Sequence, residues 1–108
     1  MVTEILTIDD KEYIILIGRN AQDNENIIKM SHPEDLWFHL KTVSSPHIIL
    51  QSGGDIISKR YLHEIANKLF QYKPKVPKSE HVIYTEIKNV KLTKTLGSVI
   101  TKNTRVLK

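Results

Sequence analysis

The stretch SKRYLHEIANKLFQY, residues 58–72, decides the fold class, because it is the clearest segment with helical periodicity in the chain. Apolar residues recur three or four positions apart, which places them on one stripe of a helix while charged and amide side chains face away. The apolar stripe consists of Tyr61, Leu62, Ile65, Ala66, Leu69 and Phe70. We expect this helix to bury that stripe by packing across a sheet.

Segments rich in β-branched and apolar residues lie on both sides of this helix. Strands are predicted at residues 4–7, 13–17, 35–41, 47–51, 81–87, 97–101 and 104–107. Lys102 and Asn103 separate the last two segments and predict a tight hairpin turn. A short helix is predicted from about Asp23 to Met30, because residues 23–26 offer N-cap side chains and Pro33 limits its extent.

These elements predict one α+β domain over residues 1–108. The sheet is expected to be curved and mostly antiparallel, or a partial barrel, accompanied by one long and one short helix. The chain has no cysteine, which excludes disulfides and thiolate metal sites. It has no leader-like start or bilayer-spanning apolar run, so we expect a soluble, stand-alone cytoplasmic domain without membrane contact.

The net charge of +4 conceals a strong asymmetry along the chain. Residues 1–57 contain four basic and nine acidic side chains, whereas residues 58–108 contain twelve basic and three acidic ones. A basic surface of this kind attracts nucleic-acid phosphates if the fold gathers it onto one face. A solvated, solubilising surface explains the same composition equally well.

The segment DLWFHL, residues 35–40, carries the most information about function. In a strand its side chains alternate, so Leu36, Phe38 and Leu40 would face the core. Asp35, Trp37 and His39 would then emerge together on the opposite face, where a base could stack on the two rings. The alternative is that Trp37 packs under a loop and His39 is a partly buried, hydrogen-bonded histidine. The alternation alone does not separate these two interpretations.

Several spaced motifs in the chain occur in the order that is typical of one known family. They are Gly18-Arg19-Asn20, Asn24, residues 35–40, Ser45-Pro46-His47 with the following aliphatics, residues 82–85, residues 88–91 and residues 97–99. Together they resemble an NFACT-R domain, the RNA-binding domain of NFACT proteins. The pattern is most similar to the small eukaryotic-type members that place this domain before a coiled coil.

The resemblance implies a non-enzymatic module that binds RNA or the ribosome, with DNA as a further candidate ligand, in ribosome-associated quality control. The residues that match the family motifs and are expected to contact nucleic acid are Arg19, Asn20, Asn24, Asp35, Trp37, His39, Ser45 and His47. Lys88, Lys91 and Lys94 would add phosphate affinity. For Asn20 and Asn24, loop and helix-cap duty is the competing interpretation.

Two other function classes compete with nucleic-acid binding. A protein-interaction adaptor could use the face of Trp37 and His39 to dock another polypeptide, and the sequence leaves the oligomeric state open. Enzymatic chemistry is disfavoured, because no nucleophile elbow or phosphate-cradling glycine loop accompanies the histidines. Metal or cofactor binding is also not expected, since the five histidines are scattered along the chain.

Overall fold

A computed structural model describes residues 1–108 and consists of one large sheet, one small sheet and two helices. The large sheet has six strands in the order β1-β2-β4-β3-β5-β8, and every neighbouring pair is antiparallel. These strands are β1 Val2–Ile8, β2 Lys11–Ile17, β3 Leu36–Leu40, β4 Ile48–Leu50, β5 Val82–Glu86 and β8 Arg105–Leu107. A separate two-stranded ribbon pairs β6 Val90–Leu92 with β7 Val99–Thr101. The helices are α1 Ala21–Met30 and α2 Lys59–Tyr72.

Helix α2 covers one face of the six-stranded sheet. Its apolar stripe joins alternate residues of the strands in a core cluster of 14 buried side chains. Leu62, Ile65 and Leu69 of the helix belong to this cluster, and so do Phe38 and Leu40 of β3. The predicted inward direction of the latter two side chains is therefore confirmed.

The opposite face of the sheet is also covered. A second cluster contains Leu16 of β2, Trp37 of β3 and Ile49 of β4, packed against Ile27 and Ile28 of α1. Residues of the β6–β7 ribbon pack around its edge. The central strands are thus buried on both sides, between α2 on one face and α1 with the ribbon on the other.

The predicted fold class is confirmed, since the structure is α+β with two helices and an antiparallel sheet that does not close into a barrel. Helix α1 begins two residues before the predicted start, because Asn20 provides the N-cap: its side-chain Oδ1 accepts a hydrogen bond of 2.8 Å from the backbone N–H of Asp23. Helix α2 follows Ser58 and ends at Tyr72, as the periodicity predicts.

The predicted hairpin around Lys102 and Asn103 is wrong. Strand β7 pairs with β6, which sequence patterning did not identify, while β8 pairs with β5 in the large sheet. Asn103 does adopt a left-handed conformation with φ of 54°, as tight turns often require. The turn therefore carries the chain from one sheet to the other instead of closing a hairpin.

Candidate nucleic-acid interface

Trp37 does not lie on an accessible surface. Only 2% of the residue is exposed, and its ring belongs to the cluster beneath α1. The expectation that Asp35, Trp37 and His39 emerge together is therefore wrong, and Trp37 can neither stack on a base from solvent nor dock a protein partner. The predicted alternation holds, but the face opposite Phe38 is a second core.

Asp35 is also buried, at 1% exposure, and its carboxylate connects two loops. It accepts a hydrogen bond from the backbone N–H of His32 at 2.9 Å and another from Gly53 at 3.0 Å. Both partners lie at the N-terminal end of β3. Its position favours a structural role.

An open cleft of about 760 Å³ lies at the other end of β3. Four segments form it: the start of α1, the loop from β3 to β4, the end of α2 and the tip of the β6–β7 ribbon. Six of the predicted site residues line it, namely Arg19, Asn20, Asn24, His39, Ser45 and His47. These six motif residues thus converge in space, although they come from different elements.

Two histidines in this cleft pack with Trp37 as a three-ring cluster. The His39 ring stacks on Trp37 with the planes 5° apart and the centroids 5.5 Å apart. The His47 ring meets both of them edge-on, with centroids 5.5 Å from Trp37 and 5.0 Å from His39. The indole is consequently the buried support on which the two imidazoles of the cleft are placed.

Hydrogen bonds fix a different tautomer on each histidine. Trp37 Nε1 can only donate, so His47 Nδ1 accepts its bond of 3.2 Å and the neutral His47 ring carries its proton on Nε2. The carbonyl of Leu40 can only accept, so His39 Nδ1 donates to it at 2.5 Å and leaves a lone pair on Nε2. Both histidines line the cleft, where His39 is partly exposed and His47 is 3% exposed. The two Nε2 atoms therefore present different hydrogen-bonding groups at the wall of the cleft, a donor on His47 and an acceptor on His39.

Both rings are neutral at physiological pH. Burial lowers the pKa of His47 to about 3, and the adjacent His39 ring adds to this shift. Burial also lowers the pKa of His39, although the carbonyls of Leu40 and Ser45 partly oppose the effect. The pair offers neutral hydrogen-bonding groups rather than positive charge.

Asn24 joins three elements below the cleft. Its Oδ1 accepts a hydrogen bond of 3.1 Å from the backbone N–H of His47, while the Gly18 N–H donates to the His47 carbonyl at 3.0 Å. A Cβ on Gly18 would lie 2.1 Å from Asn24 Oδ1, so only glycine fits there. This contact explains why the motif contains a glycine and an asparagine at this spacing.

Asn20 and Ser45 both have identified structural duties. Asn20 caps α1, as the competing interpretation of the sequence holds. The Ser45 hydroxyl accepts a hydrogen bond from the Leu40 N–H at 3.1 Å and donates to the Pro46 carbonyl at 3.0 Å. These bonds position the β3–β4 loop, and the contact of either side chain with nucleic acid stays a prediction.

Arg19 is the best-placed cation of the cleft. The residue is exposed, and its guanidinium makes no hydrogen bond or ion pair within the protein; only its backbone N–H donates, to Asp23. Asp23 itself is paired with the N-terminal ammonium at 2.8 Å. Lys73 stands on the α2 side of the cleft, and none of the residues that line the cleft is acidic. The opening is positively charged.

The three lysines predicted to bind phosphates are separated from one another. Lys88 forms an ion pair with Glu34 at 3.5 Å, near the N-terminal end of β3 and away from the cleft. Lys91 is exposed on β6, and Lys94 lies in the connection to β7 whose tip borders the cleft. Their role in phosphate binding stays a prediction.

Sequence reasoning missed part of the cleft. Tyr72 and Lys73 at the end of α2, and Leu96 to Val99 in the ribbon, line it without having been assigned to a site. Gly97 carries a recognisable signal, since its φ of +76° and its closeness to Ala21 both require glycine. That signal identifies a tight turn but not the distant segment against which it packs.

A model of the family described as the NFACT protein RNA binding domain matches residues 1–107. The chain belongs to this family. The resemblance inferred from the motifs is therefore confirmed, and the match leaves out only the last residue of this NFACT RNA-binding domain.

Individual relatives agree with the assignment. Coiled-coil domain-containing protein 25 of Mus musculus is 33% identical over 93 residues, which are 81% of this chain and 45% of that protein. The homolog in Dictyostelium discoideum is 33% identical over 107 residues, covering 92% of this chain and 52% of its own length. The chain thus spans about half the length of these relatives.

Bacterial proteins contain similar domains. The Rqc2 homolog RqcH of Streptococcus pneumoniae is 38% identical over 47 residues, 43% of this chain and 8% of that protein. The solved C-terminal part of the fibronectin/fibrinogen-binding protein from Streptococcus suis superposes with a TM-score of 0.81 at 25% identity. That match covers 95% of this chain and 42% of the other. The same fold therefore occurs inside larger proteins.

Neither a metal-binding cluster nor a membrane-spanning helix occurs in the structure. No group of three or more histidine, aspartate or glutamate side chains is arranged to hold a metal ion. Neither helix has the length and apolar character needed to cross a bilayer.

Proposed function

We propose that this NFACT RNA-binding domain binds single-stranded RNA, without catalysis, in the cleft between α1, the β3–β4 loop and the end of α2. The observation that carries the proposal is the convergence of six motif residues from different elements on one positively charged opening that has no acidic lining residue. The strand could belong to a free transcript or to an unpaired segment of ribosomal RNA. The similarity to RqcH supports a role in ribosome-associated quality control.

Each part of the cleft has a chemical role in this proposal. Arg19 and Lys73 contact phosphates, because both are exposed cations at the opening. The Nε2 atoms of His39 and His47 supply one acceptor and one donor to a base edge or a ribose hydroxyl. The 2′-hydroxyl can satisfy both kinds of partner, which favours RNA over DNA at this site.

Trp37 contributes indirectly. It holds the two imidazoles through a stacking contact and a hydrogen bond, and thereby fixes the direction of their Nε2 atoms. The aromatic surface offered to the ligand is then the partly exposed ring of His39 and not the indole.

Fluorescence anisotropy with a labelled single-stranded RNA tests the proposal. Arg19→Glu should weaken binding about tenfold or more, because a hydrogen bond to a charged group is worth roughly 1.5–3 kcal/mol. Lys59→Glu is the matched control, since Lys59 is an exposed, unpaired cation at the far end of α2. Equal losses in both variants would show a response to net charge alone and would reject the cleft.

A DNA strand of the same sequence separates RNA recognition from general nucleic-acid binding. Weaker binding of the DNA is expected if the histidine pair contacts ribose hydroxyls. Equal affinity for both strands, with Arg19→Glu still defective, would remove the ribose contact and leave a nucleic-acid site of lower selectivity.

A further inference from the structure

A second groove, with a volume of about 410 Å³, lies at the C-terminal end of α2. Its lining combines the last turns of α2 with the loop that follows, residues 73–78. Tyr72 and Lys73 line the cleft, whereas Pro74, Val76 and Lys78 line this groove. The two depressions share no lining residue, but consecutive residues of one loop, Lys73 and Pro74, line one of them each.

The loop is held in a defined shape. The Val76 N–H donates to the Lys73 carbonyl at 3.1 Å, and the Glu80 N–H donates to the Pro77 carbonyl at 2.9 Å. Val76 packs against the core cluster beneath α2, and two prolines restrict the backbone further. A loop that is already ordered loses little conformational entropy when a ligand binds.

The charges of the loop have no partners within the protein. Lys73, Lys75 and Lys78 are exposed, and none of them forms an ion pair, in contrast to Lys11, Lys29, Lys68 and Lys88. None of the residues that line the groove is acidic, and the only nearby carboxylate along the loop, Glu80, accepts hydrogen bonds from Thr42 and from the His81 N–H. The loop thus carries three exposed lysines that form no ion pair.

We infer that this groove is a second subsite, which binds the sugar-phosphate backbone of a single strand as it leaves the cleft across Lys73. The inference rests on the proposed function of the cleft. Lysines bind phosphates as point charges, without the planar fork of arginine. The groove also lacks a stacked ring pair like that of the cleft. We therefore expect the groove to contact phosphates and to add affinity without sequence preference.

The length of the RNA provides the test. Oligouridylates of about 4 and about 16 nucleotides bracket the site sizes of small single-strand-binding folds. The double variant Lys75→Gln, Lys78→Gln should weaken binding of the longer strand several-fold and leave the shorter strand unchanged. For the longer strand, the slope of log affinity against log salt should become shallower by about 1.4, because each of the two lysines neutralises one phosphate and contributes about 0.7.

A matched control removes two positive charges elsewhere. Lys59→Gln with Lys108→Gln changes two exposed, unpaired lysines that line neither depression. If the control weakens the longer strand as much as the loop variant does, or if the loop variant affects both lengths equally, the second subsite is wrong.

The same series distinguishes this inference from the proposed function. Arg19→Glu should weaken both lengths, because each must occupy the cleft. If it does so while the loop variant has no effect, the subsite is rejected and the cleft stands. If Arg19→Glu has no effect on either length, the cleft is rejected together with the subsite that depends on it.

Discussion

Trp37 Nε1 donates a hydrogen bond to Nδ1 of His47 across 3.2 Å, and both residues are almost completely buried. The indole lies in the core beneath α1, whereas the imidazole borders the cleft. This contact joins the packing of the domain to the proposed binding chemistry, because it selects the tautomer that points an N–H into the cleft.

Substitutions of Trp37 should mainly lower the stability of the folded domain. Trp37→Ala should lower the free energy of unfolding by roughly 3–5 kcal/mol, since it empties a core position. Trp37→Phe should cost less, because it retains most of the ring and chiefly leaves His47 Nδ1 without its donor, at about 1–3 kcal/mol. Urea denaturation followed by circular dichroism measures both. A Trp37→Ala variant of normal stability would contradict the core position of the indole.

The stability of the domain should decrease in mild acid. The folded-state pKa of His47 is about 3, well below the ordinary value of 6.5, so the unfolded chain binds the additional proton as the pH falls. The contribution of the neutral His47 side chain to the free energy of unfolding should be complete above pH ~6.5. By pH ~5 the free energy of unfolding should be lower by on the order of 2 kcal/mol. His39, whose pKa is also lowered, acts in the same direction.

His47→Asn provides the control for this pH dependence. The amide oxygen can replace Nδ1 as the acceptor for Trp37, but the side chain does not titrate. Denaturation curves of the variant should show a shallower loss of stability between pH ~6.5 and pH ~5, with the remainder due to His39. An unchanged pH dependence would contradict the neutral, buried state of His47.

Gly97 should be required for the shape of the cleft. A Cβ at this position would lie 2.8 Å from the Cα of Ala21, and the backbone has φ of +76°. Gly97→Ala should therefore destabilise the domain by about 1–3 kcal/mol and weaken RNA binding, because the ribbon tip must move away from α1.

Gly53→Ala separates the effect of backbone strain from the effect of the steric contact with Ala21. Gly53 also has a positive φ, +59°, but an added Cβ would meet nothing within 4 Å. This variant should lose stability through strain alone, at about 1 kcal/mol, and should bind RNA normally. If both variants bind RNA equally well, the ribbon tip is not a wall of the binding site.

Lys88 should contribute less to RNA affinity than Arg19 does. It is paired with Glu34 at the end of β3 remote from the cleft, whereas the Arg19 guanidinium has no partner. Lys88→Glu should weaken binding less than about twofold beyond the effect of Lys59→Glu, in the range expected for a distant screened charge. A loss as large as that of Arg19→Glu would move the binding surface to the other end of β3.

The fold class followed from local patterns, while the burial of Trp37 did not. The stripe of α2 and the alternation in β3 are properties of single segments, so the sequence predicts them well. Whether the second face of β3 is covered depends on α1 and on the ribbon, which are distant in the chain. The runs Ile15-Leu16-Ile17 and Ile48-Ile49-Leu50 are a usable signal, because uninterrupted apolar strands are typical of sheets buried on both faces.

Most of the residues that line the cleft belong to the family motifs, but the spacing of the motifs along the chain does not show why they meet. Gly18 donates its backbone N–H to the His47 carbonyl, and the Asn24 side chain accepts a hydrogen bond from the His47 N–H. Arg19 and His39 line the opening beside these contacts. Lys73 and the ribbon tip enter the cleft through long-range packing, for which a single sequence has no periodic signal. The pairing of β7 with β6 rather than β8 was missed for the same reason.

NMR titration of the isotope-labelled domain with single-stranded RNA distinguishes binding in the cleft from binding at the other end of β3. We expect the largest shifts at the Nε2 positions of His39 and His47 and at the Arg19 side chain, with small shifts at Lys88. Shifts concentrated near Lys88 and Glu34, or an unperturbed histidine pair under saturating RNA, would contradict binding in the cleft.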